Sequence, residues 1–375
     1  MKIGILTQAL LYNYGCLLQN YALQTILKRN GHEVETLDWD PLSRNNAFQR
    51  LNVLIRNYFL YSIGRIKRTI LQQQKENAKQ GIRLVEFINK YISRTQPLKS
   101  AKAFSYYHIQ HPKEAYIVGS DQTWRPAYNP LLEQMFLQFT KNDTVKRIAY
   151  ATSFGVDFWE YDEKQTTVCS KLAKKFDLIT VRESSGISLC KEYLGVEATH
   201  VLDPTMLLQR EDYIRLVENE HEVKSEGNLF YYVFNKTPEV LSVINGIAQR
   251  EDLTPFTVNQ EDNEGNDSFN TKKPFSSVTK WLRGFMDAKL VIIDSFHGMV
   301  FSIIFNKDFW VIGNPGRGMA RFESLLSVLQ LEHRLIPISQ LSDIQIDDKI
   351  DWENTNILLE KERQRCIELL NNYLR

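Results

Sequence analysis

At 375 residues and 43.9 kDa the chain exceeds what one hydrophobic core usually serves, so two domains are expected. With 43% hydrophobic and 24% charged residues it has a globular composition, which excludes a disordered chain. The formal net charge is +1, and nucleic acid is a poor fit because no recognition motif accompanies the basic residues and the acidic remainder would repel it. The opening MKIGILTQ is too short and too soon interrupted for a signal peptide, and no window reaches the ~18 to 20 apolar residues of a membrane span. A cytoplasmic protein is expected. Cys16, Cys169, Cys190 and Cys366 stand far apart with no metal spacing, so buried free thiols and no metal are expected.

In chain order, Lys2 to Leu6 is an apolar run of strand length. Cys16 to Arg29 carries Leu18, Ala22, Leu23, Ile26 and Leu27 at helical spacing, with Gly31 as its stop. Val34 to Trp39 returns as a strand, which completes a right-handed βαβ unit. The turn Asn13-Tyr14-Gly15 lacks the glycine spacing of nucleotide loops, yet it lies where a helix N-terminus can hold an anion.

From about 41 to 103 the chain carries thirteen Lys and Arg against Glu76 and Glu86, a local charge of +11 that leaves −10 elsewhere. Phe48, Tyr58, Phe59, Leu60 and Tyr61 accompany the charge. Helices with a cationic face and aromatic anchors suit an anionic lipid surface or a diphosphate. Beyond this insertion, Ala115 to Val118, Arg147 to Ala151 and Leu178 to Val181 are short apolar runs ending in small or polar residues. They read as buried strands of a parallel sheet, whose C-terminal edge gathers ligand-binding loops.

Three of those edges carry polar groups. AYIVGSDQTWRPAYNP sets Ser120, Asp121, Gln122 and Arg125 after a strand, YATSFGVD ends at Ser153 to Gly155, and LITVRESSG sets Arg182 there. An exposed Arg at a sheet edge can bind carboxylate or phosphate bidentately. The polar, acid-rich stretch from Glu211 to Asn228 reads as the domain boundary.

The second half repeats the rhythm. Leu229 to Phe234 is a strand, Glu239 to Arg250 a helix, and a weak strand lies near Phe256. Ser276 to Phe285 is a helix, Leu290 to Ile293 a strand, His297 to Phe305 a helix, and Phe309 to Ile312 a strand. LVIIDSFHG places Ser295 and His297 at a helix N-terminus, where the dipole favours anions. GNPGRGMARF then offers Arg317 and Arg321 among glycines, a plausible anion cradle. The expected fold is two Rossmann-like α/β domains with parallel sheets facing a cleft. Domain one spans 1–222 with the basic helical insertion at about 41–103, domain two spans 223–345, and 346–375 is a helix packing back on domain one.

Taken in order, the N-Y-G turn with Q-N-Y-A-L-Q, V-G-S-D-Q-x-W, Y-A-x-S-F-G, V-R-E, L-D-P-T at Leu202 to Thr205, and D-S-F-H-G resemble the polysaccharide pyruvyl transferase family. The resemblance runs from Met1 to about Leu335. It implies a glycosyltransferase-B-like fold and a transferase for capsule or exopolysaccharide assembly. Such an enzyme moves the pyruvyl group of phosphoenolpyruvate onto a sugar as a ketal and releases phosphate. Phosphoenolpyruvate is then the donor substrate and no cofactor is expected.

By the resemblance His297 is the leading acid/base or phosphate-contacting residue and Arg182 a donor-anion clamp. Arg317 and Arg321 join them from spacing alone, with Ser295, Asn13 and Gly15 on the donor side. Asp121 is the candidate base, and Asn20, Ser120, Gln122 and Arg125 are placed on the acceptor. The basic insertion points to a lipid-diphosphate-linked sugar and to peripheral contact with the anionic inner membrane face. Many relatives read R-x-H around this histidine where Ser295 stands here, a change worth about 1.5 to 3 kcal/mol of charged hydrogen bonding. A nucleotide-sugar-dependent glycosyltransferase of the same architecture is the alternative, and a catalytically idle binding module a third reading.

Overall fold

The protein is described by a computed structural model covering residues 1–10, 13–39, 54–56, 58–59, 62, 69, 78–140, 144–234, 236–258, 274–313, 318–344 and 348–375. Arg317, most of the basic stretch up to residue 77 and the acidic loop 259–273 lie outside the described residues.

The first sheet contains β1 (Lys2–Leu6), β2 (Glu33–Thr36), β3 (Ala115–Val118), β4 (Lys146–Thr152), β5 (Leu178–Val181) and β6 (Thr199–His200), all paired in parallel. Its order is β2-β1-β3-β4-β5-β6. Every residue of β3 and β5 is buried, because helices cover both faces of a parallel sheet. Around it lie α1 (Tyr14–Arg29), α2 (Ile82–Tyr91), α3 (Ala101–Gln110), α4 (Glu163–Ala173), α5 (Ser185–Leu189) and α6 (Arg210–Asn219).

The second sheet contains β7 (Leu229–Tyr232), β8 (Pro255–Phe256), β9 (Leu290–Ile293), β10 (Asp308–Ile312) and β11 (Leu335–Ile336), again all parallel. Its order is β11-β10-β9-β7-β8. It packs with α7 (Pro238–Arg250), α8 (Val278–Asp287), α9 (Phe296–Ile304) and α10 (Ala320–Leu329). Both sheets therefore reverse direction between their first and third strands, at β1/β3 and at β7/β9. Ligands of open α/β sheets bind beyond the strand ends at such reversals.

The domains touch directly. Tyr14 stacks on Trp281 with ring centroids 5.3 Å apart and donates its hydroxyl to the Ser276 carbonyl at 2.9 Å. Tyr213 of α6 meets Phe301 of α9 edge-on at 4.9 Å, so one hydrophobic core runs through both halves. Helix α9 is apolar all round because it lies inside that core. The last helix, α11 (Trp352–Tyr373), returns to the first domain. Arg363 donates to the Met206 carbonyl at 2.7 Å, the Leu202 amide meets Cys366 Sγ at 3.4 Å, and Asn30 donates to Asn371 at 2.6 Å.

Some elements differ from the sequence reading. The second strand stops at Thr36, since the chain then turns inward so that the Trp39 indole donates to the Thr7 carbonyl at 2.8 Å. The acid-rich stretch after Glu211 holds α6, whose Tyr213, Leu216 and Val217 are buried. All four cysteines are buried and free. Among the described residues no helix is long and apolar enough to cross a membrane.

Candidate active site

The first-domain wall is built by the ends of β3, β4 and β5. In β4 the pairing with β5 shifts between Ala149 and Thr152, where Ala151 takes φ +52°. The Thr180 hydroxyl stitches this bulge, donating to the Ala149 carbonyl and accepting from the Ala151 amide, each at 2.9 Å. Bulges re-aim the residues that follow. Glu183, fully buried, fixes that segment by accepting from Ser153 Oγ (3.0 Å), the Phe154 amide (2.7 Å) and the Gly155 amide (3.2 Å). Asp121 follows β3 at φ +81°, a left-handed conformation that Asp tolerates better than most residues. Its Oδ1 accepts from the Gln122 amide at 2.8 Å.

Arg182 and Asp203 form the centre. Asp203 caps the short turn Pro204–Leu207, its Oδ1 taking the Thr205 amide at 3.0 Å and hydroxyl at 2.7 Å. Its Oδ2 accepts from Ser120 Oγ at 2.7 Å and Arg182 Nη1 at 3.1 Å, and lies 3.6 Å from His297 Nε2. Burial alone would raise this carboxyl, but the opposing influence of His297, Arg182 and Ser120 holds it well below its usual range. Burial likewise works against the Arg182 charge, and the carboxylates Asp121 and Asp203 more than offset it. The Arg182 side chain is 1% exposed, yet its Nε and Nη2 make no hydrogen bond. Asp121 Oδ1 lies 3.6 Å from Nη2.

The second domain supplies the facing wall from the β9 reversal. Ser295 caps α9, accepting from the Gly298 amide at 3.1 Å. Phe296 lies under the Arg182 guanidinium, 4.6 Å from ring centroid to Cζ, and Arg321 Cζ of α10 approaches the same ring at 5.9 Å. Burial, helped by the like charge of Arg182, pushes Arg321 down to about 10. His297 extends across to α1. A Cβ placed on Gly15 would fall 2.0 Å from His297 Nδ1, so the imidazole rests where any other residue's side chain would begin. His297 Nε2 makes no hydrogen bond. Gly318 (φ +75°) meets Gly155 in the same way, a Cβ there falling 2.0 Å from the Gly155 carbonyl oxygen. Ser184 and Ser324 join the walls once more, at 2.9 Å from the Ser184 amide and 3.0 Å between hydroxyls.

The fold thus brings together Arg182, His297, Asp121 and Arg321. It reassigns the rest. Gly15 seats the His297 ring. Asn13 is exposed and caps α1, its Oδ1 taking the Cys16 amide at 3.1 Å. Asn20 is 0% exposed and accepts from Thr36 Oγ1 at 2.8 Å in the seam between α1 and β2. Ser120 is equally buried and holds Asp203. Arg125 is bound bidentately by Glu160 at 2.9 and 3.1 Å and donates to Gln122 Oε1 at 3.0 Å, so neither it nor Gln122 Oε1 waits for a sugar. Ser295 serves first as a helix cap. Arg317 lies outside the described residues.

Sequence reasoning missed Asp203, Glu183 and Phe296 as working residues, although L-D-P-T, V-R-E and D-S-F-H-G contain them. Asp-Pro-Thr carries a readable signal, an Asp cap ahead of Pro at the first helical position. The centre is not lined by guanidiniums and helix starts alone. Three carboxylates accompany the guanidiniums.

Two facing parallel α/β domains with a site between their strand reversals define a glycosyltransferase-B-like protein. Solved structures of similar fold include Arabidopsis thaliana UGT89C1 complexed with UDP-L-rhamnose (TM-score 0.52, 8% identity, covering 98% of each chain). UDP-GlcNAc 2-epimerase from Methanocaldococcus jannaschii is similar too (0.51, 10% identity, 99% of this chain and 100% of that one). So is the glycotransferase of kitacinnamycin (0.50, 10% identity, 100% and 99%). At these identities the likeness is one of fold. No curated protein matches the sequence. The chain belongs to the polysaccharide pyruvyl transferase family, whose profile it matches over residues 13–316, and it is accordingly a transferase.

Proposed function

We propose that the protein transfers the pyruvyl group of phosphoenolpyruvate to two hydroxyls of one sugar in a polysaccharide precursor, forming a cyclic ketal and releasing phosphate. The observation that carries this reading is Arg182, a guanidinium shut away from water with Nε and Nη2 unpaired. Orphaned buried donors of a charged group are costly unless a ligand completes them. A compact trianion with a carboxylate and a phosphate does so, and it needs no ribose or base pocket. Arg321, whose guanidinium approaches the same Phe296 ring, is a second donor for the same anion.

The chemistry divides among the remaining groups. An acid adds a proton to the methylene carbon, C2 becomes electron-poor, and a sugar hydroxyl adds there. The C2–O bond to phosphate then breaks, and the second hydroxyl closes the ring. One hydroxyl proton ends on the new methyl group and the other on phosphate. His297, between the Arg182 cluster and the start of α1, is our acid. Asp121, the most exposed carboxylate of the cluster with its side chain 15% open, is our base. Asp203 fixes the positions of Arg182, Ser120 and His297 and stays ionised. General acid–base groups so placed contribute about 10² to 10⁴ in rate.

Release of inorganic phosphate from phosphoenolpyruvate with a panel of sugars tests the reading, alongside thermal shifts with phosphoenolpyruvate and with UDP-sugars. A donor at 100 times its Kd should add about 2.7 kcal/mol. A shift with UDP-sugars alone would overturn it in favour of a glycosyltransferase. A lipid-diphosphate-linked acceptor, reached through the basic stretch at an anionic membrane face, belongs to the same proposal. Unchanged sedimentation of the protein with anionic and neutral liposomes would remove that part.

A further inference from the structure

Of the acceptor residues expected from sequence, Asn20 and Ser120 are buried and Arg125 is held by Glu160. The turn bearing Ser120 and Arg125 offers a contact surface. Tyr128 lies ten residues past β3, on the loop of the first sheet's reversal, and is 53% exposed. Its backbone amide donates to the Arg125 carbonyl at 3.1 Å. The next residue, Asn129, is 2% exposed and its amide nitrogen donates to the carbonyls of Gln122 (3.0 Å), Thr123 (2.9 Å) and Arg125 (3.2 Å). The turn is therefore tied at three points beneath the ring.

The ring itself is backed. Arg125 Cζ stands 5.0 Å from its centroid, and that guanidinium is pinned in turn by Glu160 and Gln122. Tyr128 is thus backed by a held guanidinium while about half of the residue stays open to solvent. Single exposed aromatics are ordinary on protein surfaces, but this one rests on a guanidinium that makes three hydrogen bonds of its own. Such immobilisation lowers the ordering cost of binding before a ligand arrives. Gln122, which pins that guanidinium, follows Asp121 directly in the chain and packs against Gly155, whose carbonyl Gly318 meets from the second domain. Across the gap, Phe234 follows β7 at the other reversal, 52% exposed, its amide held by both Asp294 oxygens at 2.9 and 3.0 Å.

We infer that Tyr128, backed by Arg125 and Glu160, is the platform on which the apolar face of a pyranose acceptor stacks, presenting its hydroxyls toward Asp121. The inference rests on the proposed function for the word acceptor. The contact itself is with any hexopyranoside of suitable shape.

Saturation-transfer difference NMR with methyl hexopyranosides tests it without the donor. On the wild-type protein the ring C–H protons of at least one glycoside should take up saturation. Tyr128→Phe should retain the signal and Tyr128→Ala should lose it at least fivefold. Arg125→Gln, which frees the ring from its backing, should weaken it. The phosphoenolpyruvate thermal shift of Tyr128→Ala should equal that of the wild type, which also reports that the variant is folded. Equal glycoside signals in wild type and Tyr128→Ala, or no signal from any glycoside on the wild type, would overturn the platform. A missing phosphoenolpyruvate shift on the wild type would instead overturn the donor reading while leaving the glycoside result to stand alone.

Discussion

Gly15 offers the sharpest test of how the two halves assemble the site. Gly15→Ala adds one methyl group in the first turn of α1, where a helical backbone accepts alanine and gains roughly 0.5 to 1 kcal/mol of helix propensity. That methyl would lie 2.0 Å from His297 Nδ1, 2.3 Å from Cγ and 2.7 Å from Cε1. Restoring ordinary contact at 3.4 Å moves the imidazole by about 1.4 Å. The ring starts 3.6 Å from Asp203 Oδ2 and is fixed to the capped start of α9, so it moves only by leaving Asp203 or by parting the domains. A misplacement of about 1 Å at a reacting group costs roughly a hundredfold in rate. Phosphate release from phosphoenolpyruvate should therefore fall by about two orders of magnitude in Gly15→Ala, with an unchanged circular dichroism spectrum and a destabilisation of no more than about 1 to 3 kcal/mol. Turnover at the wild-type rate would show that His297 does not work from where it sits, and the assignment would fall.

Removing the Asp203 charge with Asp203→Asn leaves Arg182 buried without its main partner and should destabilise the fold by about 3 to 5 kcal/mol, read by urea denaturation. Because the folded carboxyl is held below its unfolded value, its contribution is complete above about pH 4 and is lost as pH falls from there. The difference in stability between wild type and Asp203→Asn should shrink over that acid range and stay constant near neutrality; a constant difference throughout would contradict the pairing. Asp121→Asn keeps a residue suited to φ +81° and, because Arg182 retains its hydrogen bond to Asp203, should destabilise the fold less than Asp203→Asn while kcat drops about 10² or more. Retained kcat would move the base elsewhere. Arg321→Gln removes one charged donor and should raise the phosphoenolpyruvate Kd by about one to two orders of magnitude, measured by titration calorimetry; an unchanged Kd would detach α10 from the donor site.

How much of this was legible in the sequence depended on how local the cause was. Strands β5 and β9 were readable to the residue because burial on both faces writes a continuous apolar run with polar ends. Helix α6 was hidden since Arg210, Glu211, Asp212, Arg215 and Glu218 outnumber its three buried apolar positions, and its acid-rich look resembled a linker. Arg182 and His297 were visible as polar residues at strand ends. The fate of Arg125 was not, because Glu160 lies 35 positions away. The same holds for Asp203, whose partners sit 83 positions before it at Ser120 and in the other domain at His297. Charge type can be read from a chain, but its partner is decided only when the topology closes.

The return of α11 has a mechanical consequence. The backbone passes between the two halves twice, once between α6 and β7 and once between β11 and α11, so any opening of the cleft must bend two strands of chain together. A single connection permits swivelling; a pair fixes an axis, as two pins do for a door. Separation at His297 and Gly15, at Ser184 and Ser324, and at Gly155 and Gly318 would then proceed as one rotation, with each contact re-forming in register on closing.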